Sequence, residues 1–332
     1  MRVDSRLEIL KDWVTAVLDI SDYELRPASA DASFRRYFRI SSRGATHIIM
    51  DAPPEKENLV PFIEIAQRLH RLGLNVPEVL EQDLERGYLL LSDLGEEMYL
   101  PQLNADSVER LYGDALGALV ILQGGIFTDP QFLPEYDEAL LQREMELFRE
   151  WYLGRHLGLA LTDRQNTALS QAFAVLTESA LAQPRVWVHR DYHSRNLMVT
   201  TRNNPGILDF QDAVRGPATY DLVSLLRDCY IAWPRAQVEA WALGYQSLAL
   251  QSGLPVSEDE TQFLRDFDLM GVQRHLKAIG IFARLNHRDA KPGYLQDIPR
   301  TLGYVLEVSA RHAPLHGLHR LLIDLQIPGL RA

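Results

Sequence analysis

The stretch VWVHRDYHSRNLMV, residues 186–199, followed by GILDFQD, residues 206–212, decides the reading of this chain. Val186–His189, Leu197–Thr200 and Gly206–Asp209 read as three very short strands, with Asn203, Asn204 and Pro205 as a turn. Between the first two strands lies a polar loop holding His189, Asp191 and Asn196, and the third strand ends at Asp209. A carboxylate at the head of such a loop suits removal of a proton from an acceptor hydroxyl, which points to Asp191. Asn196 and Asp209, on opposite ends of adjoining strands, offer the hard oxygen donors that Mg²⁺ takes. A polar turn capped by its own side chains accounts for one of these residues, not four. A zinc site built on His189, Asp191 and His193 leaves Asn196 and Asp209 unexplained.

Working outward, the periodicity predicts a helix over 7–18, then strands over 34–40 and 46–51 around a turn at 41–44. A helix over 59–72 buries Phe62, Ile65, Ala66 and Leu69, and a second hairpin joins Val79-Leu80 to Tyr88–Leu91. Beyond Gly95 the pattern turns helical, over roughly 104–122, 137–153 and 162–182, and again in a long stretch from 258 to 286. The expected class is α+β, with residues 1–95 as a small antiparallel-sheet lobe and 96–332 as a larger, mainly helical one.

Composition narrows the function. The 332 residues are 46% hydrophobic and 24% charged, which allows a sizeable core. With 34 Lys and Arg against 45 Asp and Glu, the net charge is −11, the wrong sign for a duplex nucleic-acid binder. The single cysteine, Cys229, excludes a disulfide scaffold and fits a reducing compartment. No apolar signal core opens the chain, and the apolar run 116–127 is too short to span a bilayer. A cytoplasmic protein with no membrane or nucleic-acid partner is expected, and no protein partner is inferable.

The spacing His-x-Asp-x-x-x-x-Asn, with Asp209 thirteen residues after Asn196, resembles the catalytic loop and metal-binding Asp of protein-kinase-like enzymes. The run DFQD, 209–212, in place of Asp-Phe-Gly is similar to the aminoglycoside-phosphotransferase-like small-molecule kinases. That resemblance implies a bilobal protein-kinase-like fold and phosphoryl transfer from ATP with Mg²⁺. Asp191 would be the base, His189 would orient the loop, and Asn196 and Asp209 would hold the metal. Asp221, at the start of the next helix, reads as structural: a helix-start carboxylate or a buried brace for the loop.

The nucleotide lobe departs from that pattern. Where a glycine-rich hairpin should cover phosphates stands ASADASF, 28–34, in which Ser29 and Ser33 are the candidate donors. The following strand, THIIMD, lacks the phosphate-pairing lysine. Alternation along 34–40 puts Arg36 on the face of Phe34, Phe38 and Ile40, where it needs an anionic partner: a phosphate or a carboxylate. Residues around Ser92 and Leu94 stand where the family's interlobe hinge bonds adenine. A nucleotide-binding pseudokinase without turnover is the alternative raised by the missing glycine and lysine; the intact Asp191, Asn196 and Asp209 oppose it.

SFRRYFR (33–39), MDAPPE (50–55), LQREMELFREWY (141–152) and QRHLKAIGIFAR (273–284) are similar to one subgroup, the anomeric amino-sugar kinases of cell-wall recycling. This implies N-acetylmuramate and N-acetylglucosamine as acceptors at the C1 hydroxyl, with an aminoglycoside or another small hydroxylated acceptor as the alternative. His193, Arg195, Gln211 and Asp212 have positional claims on the substrate, and Trp233 is a candidate to stack on a sugar ring. Muramate carries a carboxylate, for which Arg143, Arg274 or Lys277 would supply a cation.

Overall fold

The computed structural model describes residues 4–29 and 34–327. Along the chain run α1 (Ser5–Leu18), β1 (Glu24–Ser29), β2 (Arg36–Ser42), β3 (Ala45–Asp51), α2 (Val60–Arg71), β4 (Val79–Asp83), β5 (Tyr88–Ser92), α3 (Tyr99–Gln102) and α4 (Val108–Gly124). Next come α5 (Glu138–Leu147), a π-helical stretch Phe148–His156, α6 (Asp163–Ala182), β6 (Arg185–Val188), β7 (Leu197–Met198), β8 (Gly206–Ile207) and β9 (Val214–Pro217). The rest is helical: α7 (Tyr220–Leu226), α8 (Arg235–Gln251), α9 (Glu260–Asp289), α10 (Ile298–Arg311) and α11 (His316–Asp324). None of the described helices is long and apolar enough to cross a membrane.

The chain packs as two units. One comprises the chain up to Met98 together with Leu197–Asp212; the other comprises Tyr99–Asn196 and the chain from Ala213 onward. This differs from the expected division at 95/96, because β7, β8 and the segment after them pack on the first unit. Asn75 pairs with Gly206, Met98 with Met198, and the Phe210 ring stacks on Phe62 of α2 at 4.9 Å.

The first unit is a five-stranded antiparallel sheet in the order β1-β2-β3-β5-β4. Arg43 and Gly44 both take left-handed backbone, which closes β2 and β3 in a tight hairpin. Gly87 ends the β4–β5 turn with φ +75°, and a Cβ there would lie 1.9 Å from Ala52 O, so only glycine fits. Helix α1, capped by Asp4, lays Leu10 and Val14 against Ile40, Ile49, Tyr88 and Leu90 of the sheet. Strand β1 escaped the sequence reading; Pro27 interrupts its pattern, and proline is tolerated because the strand is an edge.

In the second unit α9 runs 30 residues through the middle, buried on nearly every side and carrying Asp268, Gln273, Arg274, His275 and Lys277 into the interior. It passes so near the end of α5 that a Cβ on Gly280 would meet Leu147 C at 2.4 Å. Helix α4 starts later than the expected 104, since Asn104 and Ser107 bond each other and the local backbone instead. Strand β9 carries no strand pattern in the sequence, since VRGP ends in Gly-Pro, yet it pairs antiparallel with β6.

Candidate active site

The site residues fall in both units, and each half is built separately. In the helical unit, β6 ends at Val188 and the chain enters the polar loop. Asp221, fully buried in the first turn of α7, accepts the N–H groups of His189 at 2.6 Å and Arg190 at 2.9 Å. Burial pushes the Asp221 carboxyl up to about 6, although both N–H bonds favour its charged form. This clamp holds Arg190 at φ +77°, a left-handed conformation that an Arg seldom adopts unaided. Further on, Asp228 accepts from Ser194 N (3.0 Å), Ser194 Oγ (2.5 Å) and Tyr230 N (2.9 Å). The Asn196 side-chain nitrogen donates to Asp191 O at 3.0 Å, tying the loop's end to its head.

Asp191 is half-buried, and its carboxylate accepts no hydrogen bond from the described residues. Burial alone would raise its pKa, but the charges of Lys277, Arg274 and Arg190 outweigh that and hold it well below the ordinary carboxylate range. The ionised oxygens are therefore open to a proton donor. His189 is buried, and its Nδ1 accepts from Asp191 N at 3.3 Å. His193 is buried too, its Nδ1 unpartnered, with burial lowering its pKa to about 4 and leaving it neutral near pH 7.

Behind Asp191 sits a buried cluster centred on Glu144. It is bonded to Tyr136 and Arg190, and Lys277 Nζ stands 3.2 Å away. Burial would raise the Glu144 pKa, yet Lys277 and Arg190 keep it below its ordinary value. Sequence reasoning passed over Glu144, although a signal existed: it lies on the helical face of Leu141, Met145 and Phe148, where a charge is out of place. Asp228 gave no such signal.

The remaining predicted contacts in this unit are scattered. The Arg195 guanidinium lies 3.7 Å over the Tyr230 ring. Trp233 belongs to an aromatic cluster with Tyr112 and Trp241 and donates its indole N–H to Tyr112 at 3.1 Å, so the cluster claims part of the ring expected to face a sugar. Arg143 is exposed on α5.

In the sheet unit, the β7–β8 pair leads into Asp209, whose φ of +63° turns the chain sharply before Phe210 plugs into the core. Gln211 Nε2 donates to Asp209 Oδ1 at 2.8 Å, while Gln211 Oε1 is buried and unpartnered. Asp212 is exposed. No group of three or more His, Cys, Asp or Glu poised for a metal occurs among the described residues.

Arg36 finds carboxylates: its Nε lies 2.8 Å from the fully buried Asp51, and it also pairs with Asp4. Asp51 is shared with Arg6 at 2.6 Å. Arg36 is thus corrected from a phosphate contact to a structural ion pair, since its charge is already balanced within the sheet unit. The Ser92 N–H is likewise committed, to Glu78 O at 2.9 Å, and its Oγ accepts from Glu78 N at 2.8 Å. Leu94, by contrast, is half-buried with a backbone that makes no hydrogen bond to the described residues. The residue that fixes this segment is Arg39, bidentate on Asp93 (2.6 and 2.9 Å) and bonded to Gly95 O. Ser29 ends β1 opposite Tyr37, and Ser33 lies outside the described residues.

Residues 24–258 match a family described as the phosphotransferase enzyme family. The chain belongs to that family. Phosphotransferases of known fold resemble it throughout: the choline kinase LicA of Streptococcus pneumoniae superposes with a TM-score of 0.65 at 12% identity, over 92% of this chain and 100% of that one. Nearer in sequence, the N-acetylmuramate/N-acetylglucosamine kinase of Pseudomonas putida is 49% identical across 99% of both chains. The enzyme of the same description from Pseudomonas aeruginosa is 45% identical across 98% of both.

Proposed function

We propose that this phosphotransferase moves the γ-phosphoryl group of ATP onto the C1 hydroxyl of N-acetylmuramate and N-acetylglucosamine. The observation that carries the reading is Asp191: an ionised carboxylate on a braced loop, with no protein donor, in a chain 49% identical to a kinase for these sugars. In the proposed reaction the acceptor hydroxyl donates its hydrogen bond to Asp191, which orients the oxygen and takes the proton as the new P–O bond forms. A carboxylate with so low a pKa is a weak base, so alignment contributes more than proton abstraction, as expected where the transition state is loose.

Asn196 and Asp209 are the proposed magnesium ligands. Their chemistry fits: both present hard oxygens, and the nitrogen end of Asn196 is already turned to the loop backbone. When bound, Mg²⁺ would neutralise charge on the nucleotide phosphates. Leu94 is the proposed adenine contact through its unpaired backbone groups, while Ser92 is left in a structural role. Gln211, next to Asp209 and with a buried, unsatisfied carbonyl, is the proposed polar contact to the sugar.

The test is ADP release with Mg·ATP against N-acetylmuramate, N-acetylglucosamine, kanamycin and no acceptor, with phosphorus NMR of the product. Sugar-dependent release with phosphate on C1 supports the reading. Turnover with kanamycin alone overturns the acceptor, and ATP binding without release to any acceptor overturns the enzyme.

A further inference from the structure

N-acetylmuramate differs from N-acetylglucosamine by a lactyl ether that ends in a carboxylate, so a protein that takes both must receive an anion in one case only. Three cations of the helical unit were candidates from sequence, and the structure separates them. Arg143 is exposed and solvated. Lys277 is buried and already committed, 3.2 Å from Glu144, which it shares with Arg190, and donating to Tyr220 Oη at 3.0 Å.

Arg274 differs from both. It is only 5% exposed, no carboxylate lies within ion-pair distance of it among the described residues, and its Nε has no partner. Its sole polar contact among the described residues is Nη1 to Cys229 Sγ at 3.7 Å. Burial pushes that thiol's pKa up, so it stays uncharged. Asp228, the nearby carboxylate, aims its oxygens at Ser194 and Tyr230, so its charge reaches Arg274 without an ion-pair contact. A guanidinium removed from water without a counter-ion is costly, and such a cost is expected where a ligand supplies the missing partner.

Two further observations place that ligand beside the reacting centre. His193, on the catalytic loop, also keeps a buried, unpartnered nitrogen. Arg274 touches Cys229, and the residues on either side of Cys229 hold the catalytic loop: Asp228 accepts from Ser194 N at 3.0 Å, and the Tyr230 ring lies 5.4 Å from that of His193. We propose that Arg274 receives the lactyl carboxylate of N-acetylmuramate, with His193 Nδ1 as a hydrogen-bonding neighbour, and so sets the preference between the two sugars. This rests on the kinase reading above. The charge of Arg274 also helps to hold Asp191 ionised, so the ratio between the two sugars, and not turnover itself, reads the assignment.

The experiment measures kcat/KM for N-acetylmuramate, its lactyl methyl ester and N-acetylglucosamine with the wild type, Arg274→Gln and Arg274→Lys. In Arg274→Gln the muramate-to-glucosamine ratio is expected to fall about 100-fold, the scale for removing one partner of a desolvated charge pair, with part of it recovered in Arg274→Lys. The wild type is expected to prefer the free acid to the ester, a comparison that needs no variant to fold. An unchanged ratio in Arg274→Gln makes Arg274 a brace for Asp191 and overturns the assignment, as does a wild type indifferent to esterification. Absence of wild-type turnover with both sugars removes the kinase reading, and the assignment of Arg274 with it.

Discussion

Two charged regions of this protein treat their charges in opposite ways. Around β2 and β3, Arg6, Arg36, Asp4 and Asp51 pair among themselves, and Arg39 is bidentate on Asp93. Around the loop 189–196, among the described residues, the Asp191 carboxylate has no hydrogen-bond donor, Arg274 has no carboxylate in ion-pair contact and His193 Nδ1 has no partner. The backbone of that loop is nevertheless held by two buried carboxylates, Asp221 and Asp228. Charges that stabilise a fold are satisfied inside it; charges kept for chemistry are left open on a scaffold that others satisfy. Arg36, the candidate in sequence for the phosphate-pairing role, has carboxylates, Asp51 and Asp4, as its partners.

The comparison breaks most visibly at Asp191. Asp191→Asn is expected to lower kcat by about 10³-fold with the melting temperature within a degree or two of wild type. Loss of folding instead would place Asp191 among the structural charges. The converse holds for Asp51. Asp51→Ala strands two arginines that are each partly solvated, so unfolding in urea should show a loss of about 2–3 kcal/mol, below the ~3–5 of a fully buried pair, with ATP affinity of the folded fraction retained.

Asp221 joins the two behaviours through pH. Its folded pKa is raised from 3.8 to about 6, so its contribution to stability is full below about pH 3.8 and is lost as pH rises through 6. Activity should run the other way: protonation below about pH 6 weakens the clamp on His189 and Arg190, giving an acid limb in kcat near 6 without unfolding. In Asp221→Asn that limb should disappear, with kcat about tenfold lower across the range, the scale of one weakened buried hydrogen bond. An acid limb unmoved by the substitution would assign it to another group. The smallest effect is expected at Arg36: in Arg36→Gln the KM for ATP should stay within about threefold, because an ion pair more than a third exposed is worth little. A large rise would restore Arg36 as a phosphate contact.

Much of the architecture was legible along the chain because local period and turn chemistry agreed with the final packing. Leu59 to Leu72 reads as a helix and α2 spans Val60–Arg71; residues 258–286 read as a helix and α9 spans Glu260–Asp289. The loop residues Asp191, Asn196 and Asp209 stood out in the sequence for another reason: the roles proposed for them depend on spacing within one short segment, and spacing is what a sequence records directly. Strands β1 and β9 were not legible, since Pro27 and the Gly-Pro of VRGP argue against a strand until a partner strand is present.

What only the tertiary structure decided is who pairs with whom. Nothing in the order of residues marks Asp51 as the partner of Arg36, or Arg274 as the buried arginine without one. Nor does it assign Leu197–Asp212 to the sheet unit rather than to the helices that flank it in sequence. These are long-range outcomes, set by which burial costs are met by a neighbour and which remain. A cation's function depends on its counter-ion, and the counter-ion is chosen by packing across tens of residues rather than by the residues beside it.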